Sequence, residues 1–346
     1  MKNKMSVFMT VLIATVYLCA CAPEAAVTGE KVSAADNTIS IVTTIFPEYD
    51  WVRNILGDNP AGAEITMLLD NGVDLHSYQP TADDILKIAQ CDLFIYVGGE
   101  SDSWVEDALH ESINKEMKVI NLLDELGNAV KEEEIVEGME AEHDHEDDED
   151  HEDHDEGDEH DHEHEEEPEY DEHVWLSLKN ACVLCGVVEE ALAEIDSTNA
   201  SVYKSNLDDY CAKLKALDEE YAAAVASSAK DTVLFADRFP FRYMVDDYGL
   251  KYYAAFAGCS AESEASFDTI TFLAGKADEL SLKHVLIIES SDGKIADTVI
   301  ANTSSADATV LKMDSLQSVT SKDVEAGASY LGVMQQNLDV LKEALQ

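Results

Sequence analysis

Short runs of β-branched residues alternate with helical patterns along this chain, in two blocks on either side of one long helical segment. The first block predicts strands at 39–45, 64–69, 93–97 and 118–122, and the second at 232–236, 252–256, 285–289 and 309–313. Strands that alternate with helices form parallel sheets whose faces are covered by those helices. The sequence therefore predicts an α/β fold of two lobes, each a small, mostly parallel sheet flanked by helices.

The segment between the blocks, 199–226, carries apolar residues three and four positions apart and contains no Gly or Pro. This pattern predicts one long helix that joins the lobes as a rigid strut. The resulting division is an N-terminal lobe at 39–195, a connecting helix at 196–228 and a C-terminal lobe at 229–346. A further helical pattern at 324–345 predicts one closing helix.

An acidic, histidine-rich segment at 141–168 interrupts the first lobe and shows no hydrophobic periodicity. Seven histidines lie among its carboxylates, at His143, His145, His151, His154, His160, His162 and His164. We predict a disordered loop, because this composition cannot form a packed core. Neutral imidazoles near carboxylates bind Zn²⁺, so an auxiliary metal-binding loop is favoured over a merely solvated insertion.

The overall charge excludes one large class of partner. The chain has 22 Lys and Arg against 73 Asp and Glu, a formal net charge of −51. Nucleic acid binding needs clustered cations, and we therefore expect no nucleic acid partner.

The first twenty residues have the pattern of a signal peptide. Lys2 and Lys4 precede an apolar run at 7–18, which is too short for a permanent membrane span. The following Leu-Cys-Ala-Cys resembles the bacterial lipobox, which implies lipidation of Cys21. We expect 21–38 to be a flexible tether that holds the protein at the outer face of the cell membrane; the alternative is an ordinary signal peptide.

The other cysteines leave their pairing open. They are Cys91, Cys182, Cys185, Cys211 and Cys259. A Cys182–Cys211 and a Cys185–Cys211 bridge between adjacent helices are both possible, and spacing does not decide between them. The CxxC at 182–185 lies in an apolar helical pattern, which favours buried core residues over a redox or zinc motif.

Ligand-type side chains follow several predicted strands. His76 follows the strand at 64–69, and Asp237, Glu289 and Asp314 follow strands of the second block, while His173 follows the acidic segment. Ligands of parallel sheets bind beyond the carboxyl ends of the strands. Imidazoles and carboxylates together indicate a metal site in the cleft between the lobes, although each Asp is alternatively only a helix cap.

Three segments carry a resemblance to a known family. Residues 43–50 (TTIFPEYD), 72–81 (GVDLHSYQPT) and 171–176 (DEHVWL) are similar to the start and the first two ligand motifs of zinc- and manganese-binding lipoproteins of bacterial metal ABC importers (cluster A-I, zinc-uptake type). The helix from residue 199 and the histidine-rich insertion also resemble that family. The resemblance extends from about residue 38 to the end of the chain.

The resemblance implies His76 and His173 as metal ligands from the first lobe and Asp314 as the fourth ligand. At the third position zinc members usually have His and manganese members Glu, whereas this chain has FADRFPF at 235–241. Asp237 is the nearest match, because Arg238 cannot bind a cation.

Three further carboxylates are implied around the ligands. Glu262 and Glu264 lie in a segment that resembles a loop flanking the site, and they are supporting groups or substitutes for the third ligand. Glu289 is implied as a supporting group.

The resemblance implies a monomeric protein that captures Zn²⁺ and delivers it to an ABC transporter permease. A manganese-binding protein of the same importer class, or a surface metal buffer or adhesin, is the alternative. A metallohydrolase is disfavoured, since the sequence has no HExxH, GxSxG, GxxxxGK[ST] or GxGxxG motif. We therefore expect no enzymatic activity.

Overall fold

The computed structural model describes residues 38–140, 169–260 and 264–346. The predicted signal peptide, the tether with Cys21 and the seven loop histidines lie outside the described residues. Glu262 also lies outside them.

The first lobe is built on a four-stranded parallel sheet. Its strands are β1 (Ser40–Thr43), β2 (Glu64–Met67), β3 (Leu93–Tyr96) and β4 (Lys118–Asn121), in the order β2-β1-β3-β4. The flanking helices are α1 (Phe46–Leu56), α2 (Ala82–Gln90), α3 (Val105–His110) and α4 (Leu122–Leu126). Thr81 caps α2 in a capping box with Asp84.

Two long helices follow the first sheet. They are α5 (Leu178–Ile195) and α6 (Ala200–Ser227). The 28 residues of α6 make it about 42 Å long. This helix packs against α5 and α1 and also against the last helix of the chain, so it contacts both lobes. The predicted connecting helix is confirmed.

The second lobe repeats the architecture of the first. Its parallel strands are β5 (Thr232–Phe239), β6 (Lys251–Ala257), β7 (His284–Ile288) and β8 (Thr309–Met313), in the order β6-β5-β7-β8. The helices are α7 (Arg242–Tyr248), α8 (Phe267–Leu280), α9 (Lys294–Ala301), α10 (Ser321–Glu325) and α11 (Tyr330–Ala344). The predicted fold of two α/β lobes is confirmed.

Two predicted elements differ from the structure. The single closing helix at 324–345 is wrong: α10 ends at Glu325, and Gly327 has a φ of +104° that a right-handed helix cannot contain. Strand β5 continues three residues beyond the predicted end at Ala236. Its register against β6 shifts between Phe235 and Arg238.

Buried aromatic residues join the lobes around the segment that carries His173. Trp175 donates its Nε1 hydrogen to the carbonyl oxygen of Ser315 (2.9 Å), and Tyr330 donates its hydroxyl hydrogen to the carbonyl oxygen of Trp175 (2.6 Å). Tyr243 likewise donates to the carbonyl oxygen of Asp171 (2.8 Å). Residues Thr38–Gln346 form one compact unit, so the domain boundaries stay a prediction.

A disulfide between Cys182 and Cys211 joins α5 to α6. It corresponds to one of the two pairings that the sequence left open, while Cys91, Cys185 and Cys259 are free. The two cysteines are 29 residues apart, and closing a loop of that length is expected to stabilise the fold by about 3–4 kcal/mol. Within the described ranges, no helix is both long and apolar enough to span a bilayer.

Candidate metal centre

Two short turns hold the predicted histidines. His76 lies in a turn of 3₁₀ helix, Leu75–Ser77, whose N-cap Asp74 accepts the backbone hydrogen of His76 (3.1 Å). His173 directly precedes a second such turn, Val174–Leu176, and Asp171 accepts its backbone hydrogen (2.9 Å). In both cases a carboxylate two residues earlier fixes the backbone that carries the imidazole.

The two imidazoles meet edge to edge. Their Nε2 atoms are 3.2 Å apart, and the His173 side chain is fully buried. Two nitrogens bound to a tetrahedral Zn²⁺ at about 2.0–2.1 Å lie about 3.3–3.4 Å from each other. The pair is therefore spaced as two ligands of one cation.

The remaining ring nitrogens are already hydrogen-bonded. His173 Nδ1 lies 3.0 Å from Asp171 Oδ1, and His76 Nδ1 lies 2.7 Å from Ser101 Oγ. A carboxylate only accepts, so we assign the Nδ1 hydrogen of His173 to this bond, which leaves the Nε2 lone pair free. Carboxylate support of this kind is typical of metal-ligating histidines.

Burial and neighbouring charges separate the pKa values of the two histidines. Burial, reinforced by His173, lowers the pKa of His76 to about 3, so His76 is neutral near pH 7. Burial acts to lower the pKa of His173, but the Asp171, Glu172 and Asp74 carboxylates together outweigh it and the pKa is raised. A proton therefore competes with a bound cation more strongly at His173 than at His76.

A sulfur atom completes a group of three ligand-type donors. His76, His173 and Cys259 each offer one atom within 4.8 Å of the other two, and they are the only such group among the described residues. Cys259 follows β6 and is half-buried, in a cleft of about 930 Å³ that it lines together with His76. Burial raises the pKa of the Cys259 thiol, and the nearby Asp171 carboxylate adds to the shift.

The structure does not bring Asp237 to the histidine pair. Its carboxylate accepts the backbone hydrogens of Arg238 (2.9 Å) and Ile288 (3.4 Å), and it lines a separate cleft together with Glu264. Neighbouring strand residues point to opposite faces, and Arg238 is the one that reaches the first lobe, with its Nη2 2.6 Å from Asp74 Oδ2. Asp237 as third ligand, and Glu264 as its substitute, stay predictions without geometric support.

Asp314 also lies outside the group of three donors. Its carboxylate accepts the backbone hydrogen of Leu316 (2.7 Å) and lines another cleft beside Glu289. Burial, and then the charge of Glu289, raises the pKa of Asp314 to about 6. Glu289 accepts two hydrogen bonds from Ser315 (both 2.8 Å) and so holds the loop after β8. The ligand role of Asp314 and the supporting role of Glu289 stay predictions.

Sequence analysis did not identify three residues that lie around the histidine pair, Asp171, Ser101 and Cys259. Asp171 belongs to the DEHVWL motif, and its spacing of two from His173 was the available signal. Cys259 opens the segment 259–264 that resembles a loop flanking the site, but only the carboxylates of that segment were singled out. Ser101 has no such signal, because it reaches the histidines from a segment distant from both motifs.

The buried carboxyl of Asp102 makes stability depend on pH. Burial raises the pKa of Asp102 to about 7 from 3.8. The folded state then binds the proton more tightly than the unfolded state. The stability that Asp102 contributes is therefore complete below pH 3.8 and is lost as pH rises through about 7.

The unfolding free energy of the wild type, measured relative to that of Asp102→Asn, is expected to fall by about 2–3 kcal/mol between about pH 5 and 8. Denaturant titrations at both pH values measure this difference; the exposed Asp124→Asn is the control, and a pH-independent difference would contradict the prediction.

Comparison with known proteins supports the resemblance in the motifs. The family model described as "Zinc-uptake complex component A periplasmic" (ZnuA) matches residues 41–344. The high-affinity zinc uptake system protein ZnuA of Bacillus subtilis is 30% identical over 335 residues, covering 97% of this chain and 96% of that protein. The zinc-binding lipoprotein AdcA of Streptococcus pneumoniae serotype 4 is 30% identical over 312 residues, covering 89% of this chain.

A solved structure has the same fold. The Zn(II)-bound ZnuA-like domain of Streptococcus pneumoniae AdcA superposes with a TM-score of 0.65 at 25% identity, covering 89% of this chain and 99% of that domain. This chain spans 56–58% of the length of the full AdcA proteins that it matches. The family match covers nearly all of the described residues, and on that basis the chain belongs to the family of the zinc-uptake complex component A, ZnuA.

Proposed function

We propose that this protein captures Zn²⁺ outside the cytoplasm and delivers it to the permease of an ABC importer. The observation that carries the proposal is the buried pair of Nε2 atoms 3.2 Å apart, with both opposite ring nitrogens already hydrogen-bonded. One cation bound by both nitrogens accounts for this spacing. The relatives named zinc-binding and zinc-uptake proteins support the same reading.

Zinc is the favoured cargo over manganese. Two neutral imidazole nitrogens suit Zn²⁺, whereas Mn²⁺ prefers sites rich in oxygen ligands. For a given ligand set, Zn²⁺ also binds more tightly than Mn²⁺ in the Irving–Williams order. The sequence-based alternative of a manganese carrier depended on Asp237 and Asp314, which lie outside the group of three donors.

The proposed action is binding and release without covalent chemistry. His76 and His173 hold the cation, and docking on a permease would open the cleft and weaken the ligand set. The family is that of a transport component, which supports this reading over hydrolysis.

Anchoring and the auxiliary loop complete the proposal. We place the protein at the outer face of the membrane, with a lipid on Cys21 and the histidine-rich segment 141–168 as a second, weaker metal-binding region. The family description as periplasmic and the lipoprotein name of one relative support this location.

Uptake in cells tests the function. Cells that lack this protein are expected to take up less radioactive zinc and to stop growing when a chelator limits zinc, while excess Mn²⁺ does not restore growth. Wild-type protein should restore both uptake and growth, and the double variant His76→Ala/His173→Ala should restore neither. Full restoration by the double variant, or rescue by Mn²⁺ alone, would contradict the proposal.

A further inference from the structure

The histidine pair alone leaves a tetrahedral cation two ligands short. Both histidines belong to the first lobe, and the predicted carboxylates of the second lobe that the structure describes line other clefts: Asp237, Glu264, Glu289 and Asp314. Cys259 is the described residue of the second lobe that joins the pair in the group of donors within 4.8 Å. Its sulfur therefore stands where a third ligand is needed.

The backbone before Cys259 is pressed against the His173 imidazole. A Cβ atom at Gly258 would lie 2.9 Å from the carbonyl oxygen of Phe239 and 3.1 Å from Cε1 of His173, so the chain approaches this closely only because residue 258 is glycine. Glu133 accepts the backbone hydrogen of Cys259 (2.9 Å) and holds the next residue in place. These two contacts fix the backbone position from which the Cys259 side chain extends.

We propose that Cys259 is the third protein ligand, as a thiolate supplied by the second lobe, and that it makes the site selective for thiophilic cations over Mn²⁺. The inference rests on the proposed function. When the sulfur lone pair binds the cation, the S–H bond breaks and the proton passes to solvent, since a metal-bound thiol is deprotonated outright. Three protein ligands leave the fourth position to water.

A thiolate ligand has consequences that a carboxylate ligand does not. Soft sulfur donors favour Zn²⁺ and Co²⁺ over Mn²⁺, which binds oxygen-rich sites. The ligand also couples the lobes, because the cation then bridges the segment after β6 of the second lobe to the turns of the first. Release of the cation requires that the sulfur withdraw from the histidines.

Cobalt spectroscopy on the full-length protein, with the Cys182–Cys211 disulfide intact, tests the ligand directly. Thiolate bound to Co²⁺ gives an intense near-ultraviolet charge-transfer band that nitrogen and oxygen ligands do not give. We expect the band in wild type, its loss in Cys259→Ser, and its retention in the control Cys91→Ser, which alters a free cysteine of the first lobe. A band that persists in Cys259→Ser, or is absent from a wild type that binds Co²⁺, overturns the proposal.

Zinc calorimetry on the same proteins separates this inference from the proposed function. Loss of an outer supporting group typically weakens metal binding about 10–100-fold, so Cys259→Ser should weaken Zn²⁺ by at least that factor and leave Mn²⁺ little changed. Tight zinc binding without a cobalt–thiolate band refutes only the role of Cys259. A wild type that binds no zinc at all refutes the proposed function as well.

Discussion

Replacing His173 with alanine is expected to weaken the tightest zinc site about 100-fold, and replacing His76 as well is expected to weaken it about 10⁴-fold. Four-ligand zinc sites have binding free energies of about 10–16 kcal/mol, which is about 3 kcal/mol for each ligand. The 3.2 Å between the two Nε2 atoms indicates that both rings act on one cation. Solvent is not expected to replace the lost imidazole of His173, because that side chain is fully buried.

Competition with a chelator of known affinity measures the tight site without interference from weaker sites in the histidine-rich segment. His284→Ala is the matched control, since His284 is a histidine of the second lobe whose Nδ1 contacts Thr309 Oγ1 (2.9 Å). Circular dichroism verifies that each variant is folded. Unchanged tight binding in the double variant would refute the histidine pair as the site.

The alternation of strands and helices was sufficient to predict the two parallel sheets. Each predicted strand of both lobes is present. These strands were predictable because strands of a parallel sheet are buried on both faces and appear in the sequence as short, continuous apolar runs. The ends of individual strands and helices were less predictable. The end of β5 and the break between α10 and α11 depend on a shifted register and on Gly327, which local periodicity does not report.

The histidines were predictable from their motifs, and the other donors were not. The sequence-based choice of Asp237 over Arg238 used ligand chemistry alone. In the structure, the side of β5 that each residue faces decides which of the two reaches the first lobe. Arg238 reaches Asp74 across the cleft, and Asp237 is turned to β7. The shifted register between Phe235 and Arg238 obscures that alternation in the sequence.

Cys259 shows the other limit of local patterns. The sequence presents it as one of five cysteines of unassigned pairing, and its meaning depends on the fold bringing the end of β6 to the histidines. A ligand supplied by a separate lobe has no fixed spacing from the first two. Cys259 can be identified as a candidate ligand only from the packing of the two lobes.

Replacing Asp171 with asparagine is expected to weaken zinc binding about 10–100-fold at pH 8, the usual cost of losing an outer partner of a ligand. Asp171 Oδ1 holds the Nδ1 hydrogen of His173 at 3.0 Å and so directs the Nε2 lone pair to His76. An amide supplies less negative charge and can also donate, which lets the ring take the tautomer with its hydrogen on Nε2. Asp209→Asn, an exposed change on α6, is the control.

The pH dependence of this penalty distinguishes an electrostatic role of Asp171 from a merely structural one. Asp171 raises the pKa of His173 above its usual 6.5, so in wild type a proton competes with zinc already at pH values above 6.5. The variant loses that shift, and its His173 stays neutral to lower pH. As pH falls from about 8 to 6, wild-type affinity should therefore drop faster than that of Asp171→Asn, and the two affinities should converge. Calorimetry at the two pH values measures this, and a penalty that is constant with pH would show that Asp171 supports the backbone only.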